Sequence, residues 1–423
     1  MSLSESVSLT SLELTRFFLA VVLLLLSSQS FGYLFHKLKL PKVVGEIFGG
    51  LLLGPSLLGY FSPSAQDWVF NGFPAEGKLI ALVSWFGLIL LMFISGFEIE
   101  RSFTRDDRNL AVQVLLGATL LPFIAGLAAT TLYDFSPYIG PNGNPVSFAI
   151  IIAIAVAVTS IPVISKIFLD LNIINTRFAK LVLTVATVED ILLYAALAIA
   201  TGIAGTGALS LSTAAYIVTV TIVFFGLALL AIPRLMRKMA TSRADFLIRS
   251  FPTRFALFAC LSLVALASVL NVNIVFGAFL AGVAIGTMPQ ETFRNTRTHV
   301  KSISLALFTP VYFAVVGLRL DLVRQFDLAL FLGFLAFSTL LKTVGTLAVG
   351  KLAGKDWLSS FNLAVALNAR GGPGIVLATV AFDLGLISEK FFVSLVLAAM
   401  ITSLTAGYWL RYVLSRGWRL LAD

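Results

Sequence analysis

Continuous runs of apolar residues dominate this chain, and about 20 such residues suffice to carry a helix across the hydrocarbon core of a bilayer. They fall near residues 14–36, 43–61, 79–98, 110–133, 146–169, 178–203, 213–233, 254–271, 273–288, 302–320, 328–350, 360–383 and 390–413. The pattern predicts an all-α integral membrane protein with about 13 transmembrane helices. A membrane barrel would show alternating positions instead. The weakest separation is the short turn Asn271-Val272-Asn273 between the eighth and ninth runs. Glu5 and Glu13 precede the single Arg16 of the first run, so it lacks a basic leader and reads as a retained span. The connections are too short for a separate soluble domain, and residues 1–423 read as a single transmembrane domain.

Composition agrees with this picture and narrows it. Of 423 residues, 58% are hydrophobic and 12% charged, against about 25% charged in a soluble domain. Such a chain cannot clothe a water-soluble core, and too little charge excludes disorder. A lone Cys260 excludes a disulfide framework; in an apolar run it reads as a small hydrophobe. The net charge of +9 is informative through its distribution. Of 30 Lys and Arg, two, Lys342 and Arg370, lie deep within spans. Counting residues near a span end with the adjoining connection, 23 belong to the odd-numbered connections and the C-terminal tail and five to the N-terminal segment and even-numbered connections. The positive-inside rule then puts the N-terminus outside and the C-terminus in the cytoplasm. The charge marks the cytoplasmic face of a cell membrane and implies no nucleic acid. The cluster Arg234, Arg237, Lys238, Arg243, Arg249 and Arg254 is a topology signal that could also attract anionic lipid.

The two halves of the chain repeat one another. Gly45, Gly50 and Gly54 in the second span are spaced like Gly277, Gly282 and Gly286 in the ninth, each pair 232 residues apart. Met92–Ile99 (MFISGFEI) in the third span resembles Phe313–Leu320 (FAVVGLRL) in the tenth. Thr159–Pro162 (TSIP) interrupts the fifth span, and Arg370–Gly374 (RGGPG) the twelfth. All three pairings are seven crossings apart, so the repeats are inverted. Helix breakers at matching depths in two halves point to a transporter site where interrupted helices cross. Freed backbone groups there need protein or a polar cavity, because lipid offers no partner.

Few ionisable residues lie away from the connections: Glu46 near the cytoplasmic end of span two, Glu189 and Asp190 at the centre of span six, Lys342 in span eleven and Arg370 in span twelve. A charge at mid-membrane costs about 2.5–3.5 kcal/mol on insertion scales, so each needs a partner or a water-filled path. Glu189 and Asp190 point about 100° apart on a helix and can face different neighbours. One arrangement turns Asp190 to the crossing and Glu189 to Lys342 or Arg370. Carboxylate oxygen suits a hard cation, and the hydroxyls of Thr159 and Ser160 could complete its shell. A proton and an alkali cation would compete for the same oxygens of Asp190. Glu46 could mark a cytoplasmic entrance, or serve helix packing. His36 and His299 read as ordinary loop histidines. The chain shows no HExxH, Walker loop, dinucleotide fingerprint or Cys/His metal cluster; neither an enzyme nor a resident cofactor is expected.

These motifs together resemble the cation:proton antiporter superfamily, in particular its Kef-type and bacterial sodium(potassium)/proton exchanger branch. Leu40–Gly59 is similar to that branch's early glycine-rich signature, and Phe276–Gly286 to its second-half counterpart. Thr309–Leu322 resembles its tenth-span pattern; Ala157–Leu171 and Asn368–Ala378 resemble its two interrupted helices. The resemblance implies the sodium/proton antiporter fold and a homodimer. It implies a scaffold from spans near 14–98 and 254–320, a mobile core from spans near 110–203 and 328–413, a linker span at 213–233, and an elevator-type cycle. It puts Asp190 on the ion- and proton-binding aspartate, Lys342 on the lysine that, in members with two acids, exchanges partners with the preceding acid, and Arg370 on the arginine of the second broken helix. Glu189 departs from the usual Asp, Asn or Gln, which leaves stoichiometry open. The nucleotide-binding domain of many Kef-type relatives has no counterpart here, so nucleotide gating is not expected. Two rivals remain: a Kef-like K⁺ efflux channel, for which the chain offers no selectivity-filter motif, and an organic-anion carrier using Lys342 and Arg370.

Overall fold

A computed structural model describes residues 9–38, 40–97, 108–205, 211–231, 234, 250–270, 272–288 and 290–421. The described residues are nearly all helical, with one isolated bridge between Ile139 and Ile387. Apart from short helical turns such as Leu58–Phe61, Pro63–Phe70 and Ser136–Tyr138, the helices in chain order are α1 (Ser11–Lys37), α2 (Lys42–Leu53), α3 (Glu76–Phe97), α4 (Asn109–Leu132), α5 (Pro145–Ala157), α6 (Ile161–Asp170), α7 (Arg177–Gly205) and α8 (Leu211–Gly226). They continue with α9 (Pro252–Val269), α10 (Ile274–Gly286), α11 (Asn295–Leu318), α12 (Leu328–Leu352), α13 (Trp357–Leu367), α14 (Gly371–Asp383) and α15 (Glu389–Ser415).

Among the described residues, ten helical stretches are long and apolar enough to cross a membrane. The predicted fifth and ninth spans instead fall on shorter apolar helices, α5 with α6 and α10. The seventh falls on α8 and the π-helical turn Leu227–Ala231. Asn273 ends the turn between the eighth and ninth spans by capping α10, its side chain accepting from Val275 N at 2.9 Å. Glu5, Asn271, the end of the third-span motif at Glu98 and Ile99, the end of the linker span at 232–233, and Arg237, Lys238, Arg243 and Arg249 of the basic cluster lie outside the described residues.

The chain divides into two compact units, Met1–Leu91 with Val300–Phe326 and Met92–His299 with Asp327–Asp423. In the first, α1, α2 and the C-terminal part of α11 pack closely because glycines remove side chains from the contact. A methyl group at Gly50 would overlap the carbonyl oxygen of Ala314, and one at Gly317 that of Ile47. The second unit contains the same contact in the other half of the repeat. A methyl group at Gly282 would overlap the Phe93 carbonyl oxygen, and one at Gly96 that of Phe279. Shifting Ile47 and Gly50 by 232 residues gives Phe279 and Gly282, and the third- and tenth-span motifs align Phe93 with Ala314 and Gly96 with Gly317. The repeat therefore reproduces individual contacts as well as the order of helices. Valine at Gly50 or Gly282 forces the backbones apart, and overpacking costs about 1–3 kcal/mol. The two variants should lower the melting temperature in detergent by similar amounts.

Proline shapes two further helices. Pro310 carries no N–H and clashes with the carbonyl four residues back, and the π-helical turn Ser304–Phe308 lies just before it in α11. The Ala306 carbonyl, which Pro310 leaves without its helical donor, accepts from Gln29 Nε2 at 3.1 Å. Pro122 acts alike in α4, where the π-helical turn is Leu116–Leu120. Glu46, 4% exposed, lies in the first unit and pairs with Lys42 at 3.2 Å along α2.

Candidate functional site

Two helices in the second unit break at mid-course and meet at their breaks. α5 ends at Ala157 and α6 begins at Ile161, with Ser160 as its N-cap. α13 ends at Leu367 and α14 begins at Gly371. Three hydrogen bonds join the breaks. Ser160 N donates to the Ala369 carbonyl at 2.6 Å. Thr159 Oγ1 donates to the Leu367 carbonyl at 2.7 Å, and Gly372 N to Ser160 Oγ at 3.1 Å. The freed groups thus find protein partners, as burial in lipid requires. Gly371, at φ +28°, lies where a side chain would collide with Ser160 and Val163. Pro373 stands in the first turn of α14, where a missing N–H costs little.

The cations converge on the C-terminal end of α5. Arg370 Nε donates to the Ala155 carbonyl at 3.3 Å and Nη2 to that of Val156 at 3.5 Å. Arg370 Nη2 also reaches Asn368 Oδ1 at 3.3 Å, and Asn368 Nδ2 reaches Thr343 Oγ1 at 3.0 Å. Lys342 Nζ donates to the Ala157 carbonyl, to Thr159 Oγ1 at 2.7 Å and to Glu189 Oε1 at 2.8 Å. Positive charge at a helix C-terminus is favourable, because carbonyls there lack helical donors. The N-terminal amides of α14 are already used: Arg370 N donates to Thr402 Oγ1 at 3.4 Å, Gly371 N to Ser403 Oγ at 3.0 Å, and Gly372 N to Ser160.

The adjacent acids of α7 are treated differently. Glu189 is fully buried and held at both oxygens, Oε1 by Lys342 and Oε2 by Thr119 Oγ1 at 3.0 Å. Asp190 is 1% exposed, and neither of its carboxylate oxygens has a hydrogen-bond partner. It lies within electrostatic reach of Glu189 and Lys342. A buried polar group is normally paired; at this site the exceptions are the two Asp190 oxygens, beside a satisfied ion pair, and Arg370 Nη1.

Of the residues singled out from sequence, the structure gathers Glu189, Asp190, Thr159, Ser160, Lys342 and Arg370 in one unit. Glu46 belongs to the other. The Ser160 oxygen accepts from Val163 N at 3.3 Å as well as from Gly372 N, so it works as a cap for two helix starts. Residues 20–416 match the transmembrane sodium/hydrogen exchanger family.

This chain belongs to the sodium/hydrogen exchanger family. Membership puts it among transporters rather than enzymes. It is 27% identical over 407 residues to the Na(+)/H(+)-K(+) antiporter GerN of Bacillus cereus, covering 94% of this chain and 96% of the relative. It is 27% identical to the Na(+)/H(+) antiporter NhaS4 of Synechocystis, covering 91% and 93%. It is also 26% identical to the K(+)/H(+) antiporter 1 of Saccharomyces cerevisiae, a match that covers 93% of this chain and 46% of the longer yeast protein. In fold it is similar to the sodium proton antiporter MjNhaP1 of Methanocaldococcus jannaschii, with a TM-score of 0.69, 14% identity, and 95% and 97% of the two chains covered. The sodium/hydrogen exchanger fold, with its inverted repeats and two crossed interrupted helices, is thus the fold of this chain.

Thr119 and Asn368 do not stand out from sequence as members of this exchanger site. Pro122 is the signal for Thr119. A proline well inside an apolar run announces a disturbed turn before it, and Thr119 is the polar residue of that turn. Asn368 opens the second break and is visible in sequence only as the start of a motif.

Proposed function

We propose that this chain exchanges a monovalent cation, Na⁺ or K⁺, for H⁺, with Asp190 as the exchanging carboxylate and one proton moved per cation. The observation that carries this reading is the contrast on α7: Glu189 is held by Lys342 and Thr119, while Asp190 is buried with both oxygens unpaired. A carboxylate with free lone pairs can take a proton or a hard cation, and the two ligands exclude each other there. Glu189, neutralised by Lys342, needs no proton to remain buried. One carboxylate that alternates between two ligands of equal charge gives an electroneutral, one-for-one exchange.

Lys342 and Arg370 then fix the breaks rather than carry substrate. Their contacts with the end of α5, and the occupied amides of α14, favour a cation site over an organic-anion site. Coupling by alternating access requires that the site move only when Asp190 is neutralised. An elevator cycle meets this condition, with the spans of α4–α7 and α12–α15 as the moving body and those of α1–α3 and α9–α11 as scaffold. We place this cycle in a homodimer in the cell membrane, with the N-terminus outside and the C-terminus in the cytoplasm. The names of the relatives, which include both Na⁺ and K⁺, support testing the two ions separately.

The test is the pH change inside proteoliposomes on addition of each cation. Saturating proton movement with at least one ion is expected. Single-channel currents, or proton movement blocked competitively by an organic carboxylate, would overturn the reading in favour of a channel or an anion carrier.

A further inference from the structure

Thr119 lies on α4, which contributes no other residue named at the site. Its position has an identifiable cause. Pro122 deprives the Ala118 carbonyl of its helical donor, and α4 widens into the π-helical turn Leu116–Leu120. The same turn lies against α12 at the level of Lys342. A methyl group at Gly117 would overlap the Gly345 carbonyl oxygen, and one at Gly345 that of Gly117. Gly345 follows Lys342 by three residues, so it shares that face of α12. The close approach brings Thr119 Oγ1 to 3.0 Å from Glu189 Oε2, while Lys342 Nζ is 2.8 Å from Glu189 Oε1. Thr119 is 5% exposed and Glu189 and Lys342 are fully buried, so water does not compete for these bonds.

We propose that Thr119 is a positioning residue for cation exchange: by holding the second oxygen of Glu189, it keeps Lys342 on Glu189 and away from Asp190. This inference rests on the reading of Asp190 as the exchanging carboxylate. Among the described residues, the other acid within electrostatic reach of an ammonium group that leaves Glu189 is the unpaired Asp190. There it would occupy the oxygens that a transported cation needs. Thr119 therefore governs apparent cation affinity without touching the cation. Thr159 also holds the same ammonium, at 2.7 Å.

The experiment measures cation-driven proton flux in proteoliposomes against cation concentration, using whichever of Na⁺ and K⁺ the parent moves faster. Thr119→Val keeps the volume and removes the hydroxyl; Thr119→Ser restores the hydroxyl; Thr119→Ala replaces the valine variant should that one fail to assemble. Loss of one hydrogen bond should raise KM for the cation about fivefold, with a smaller change in kcat, and the serine variant should return KM to the parent value. An unchanged KM, a fall in kcat alone, or a KM that serine does not restore would overturn the role of Thr119. Asp190→Asn is measured in the same series. Full activity in that variant would sink the reading of Asp190 itself. An inactive Asp190→Asn variant together with an unchanged KM at Thr119→Val sinks only the present inference.

Discussion

Replacing Asp190 by Asn should reduce cation-driven proton movement to the level of protein-free liposomes while leaving the fold intact. Asparagine is close to isosteric with aspartate but carries no charge and does not titrate, so it cannot alternate between a protonated and a cation-bound form. The structural cost should be small because no hydrogen bond is lost: neither Asp190 oxygen has a partner. Burying an unpaired charge is unfavourable, so the melting temperature should be equal to or above that of the parent. Asparagine offers a carbonyl oxygen that could still meet a cation weakly, but without competition by H⁺ the coupling is gone. The paired readout matters. Lost transport with a preserved melting transition assigns chemistry to Asp190, whereas lost transport with a lowered transition would assign it packing. Full activity would remove Asp190 from the mechanism.

The largest effect on stability is expected at Lys342. Its ammonium holds Glu189, Thr159 and the end of α5 together, with the Glu189 ion pair at 2.8 Å and both side chains fully buried. Lys342→Met leaves Glu189 as a buried acid without its cation, with the Thr119 hydroxyl on Oε2. Removing one partner of a buried pair costs about 3–5 kcal/mol. Replacing both partners by neutral groups of similar shape is often neutral, so Glu189→Gln combined with Lys342→Met should recover most of the loss. The double-mutant cycle in detergent melts measures the coupling directly. Because Glu189 carries no transported proton in the proposed exchange, the double variant should also retain cation/proton exchange. A double variant as unstable as Lys342→Met would show that Lys342 acts mainly through Thr159 and the end of α5.

The membrane made much of this architecture legible in the sequence. Lipid cannot satisfy a free backbone group, so spans are written as continuous apolar runs and breaks as Thr-Ser-Ile-Pro and Arg-Gly-Gly-Pro-Gly. The 232-residue register of the glycines foretold the repeat, and the close contacts at Gly50 and Gly282 give its physical reason. Burial cost likewise singled out Glu189, Asp190, Lys342 and Arg370. Their pairing was harder to read. Neighbouring residues on a helix differ by about 100°, and only the rotation of α7 decides which acid meets Lys342. Thr119 and Glu189 are 70 residues apart, and no local pattern links them. Ser160 was legible as a hydroxyl at the right depth, but its use as a cap for both α6 and α14 depends on how closely the two breaks approach.

The central claim, one exchanging carboxylate beside a locked ion pair, is tested most directly by a null-point measurement. Proteoliposomes are given a fixed cation gradient, with membrane potential clamped at several values, and the pH gradient that gives no net flux is found for Na⁺ and K⁺ separately. One-for-one exchange predicts that a tenfold cation gradient is balanced by about one pH unit, independent of potential. A balance at about half a pH unit that shifts with the clamped potential would mean two protons per cation, and would contradict the account by making Glu189 a second carrier.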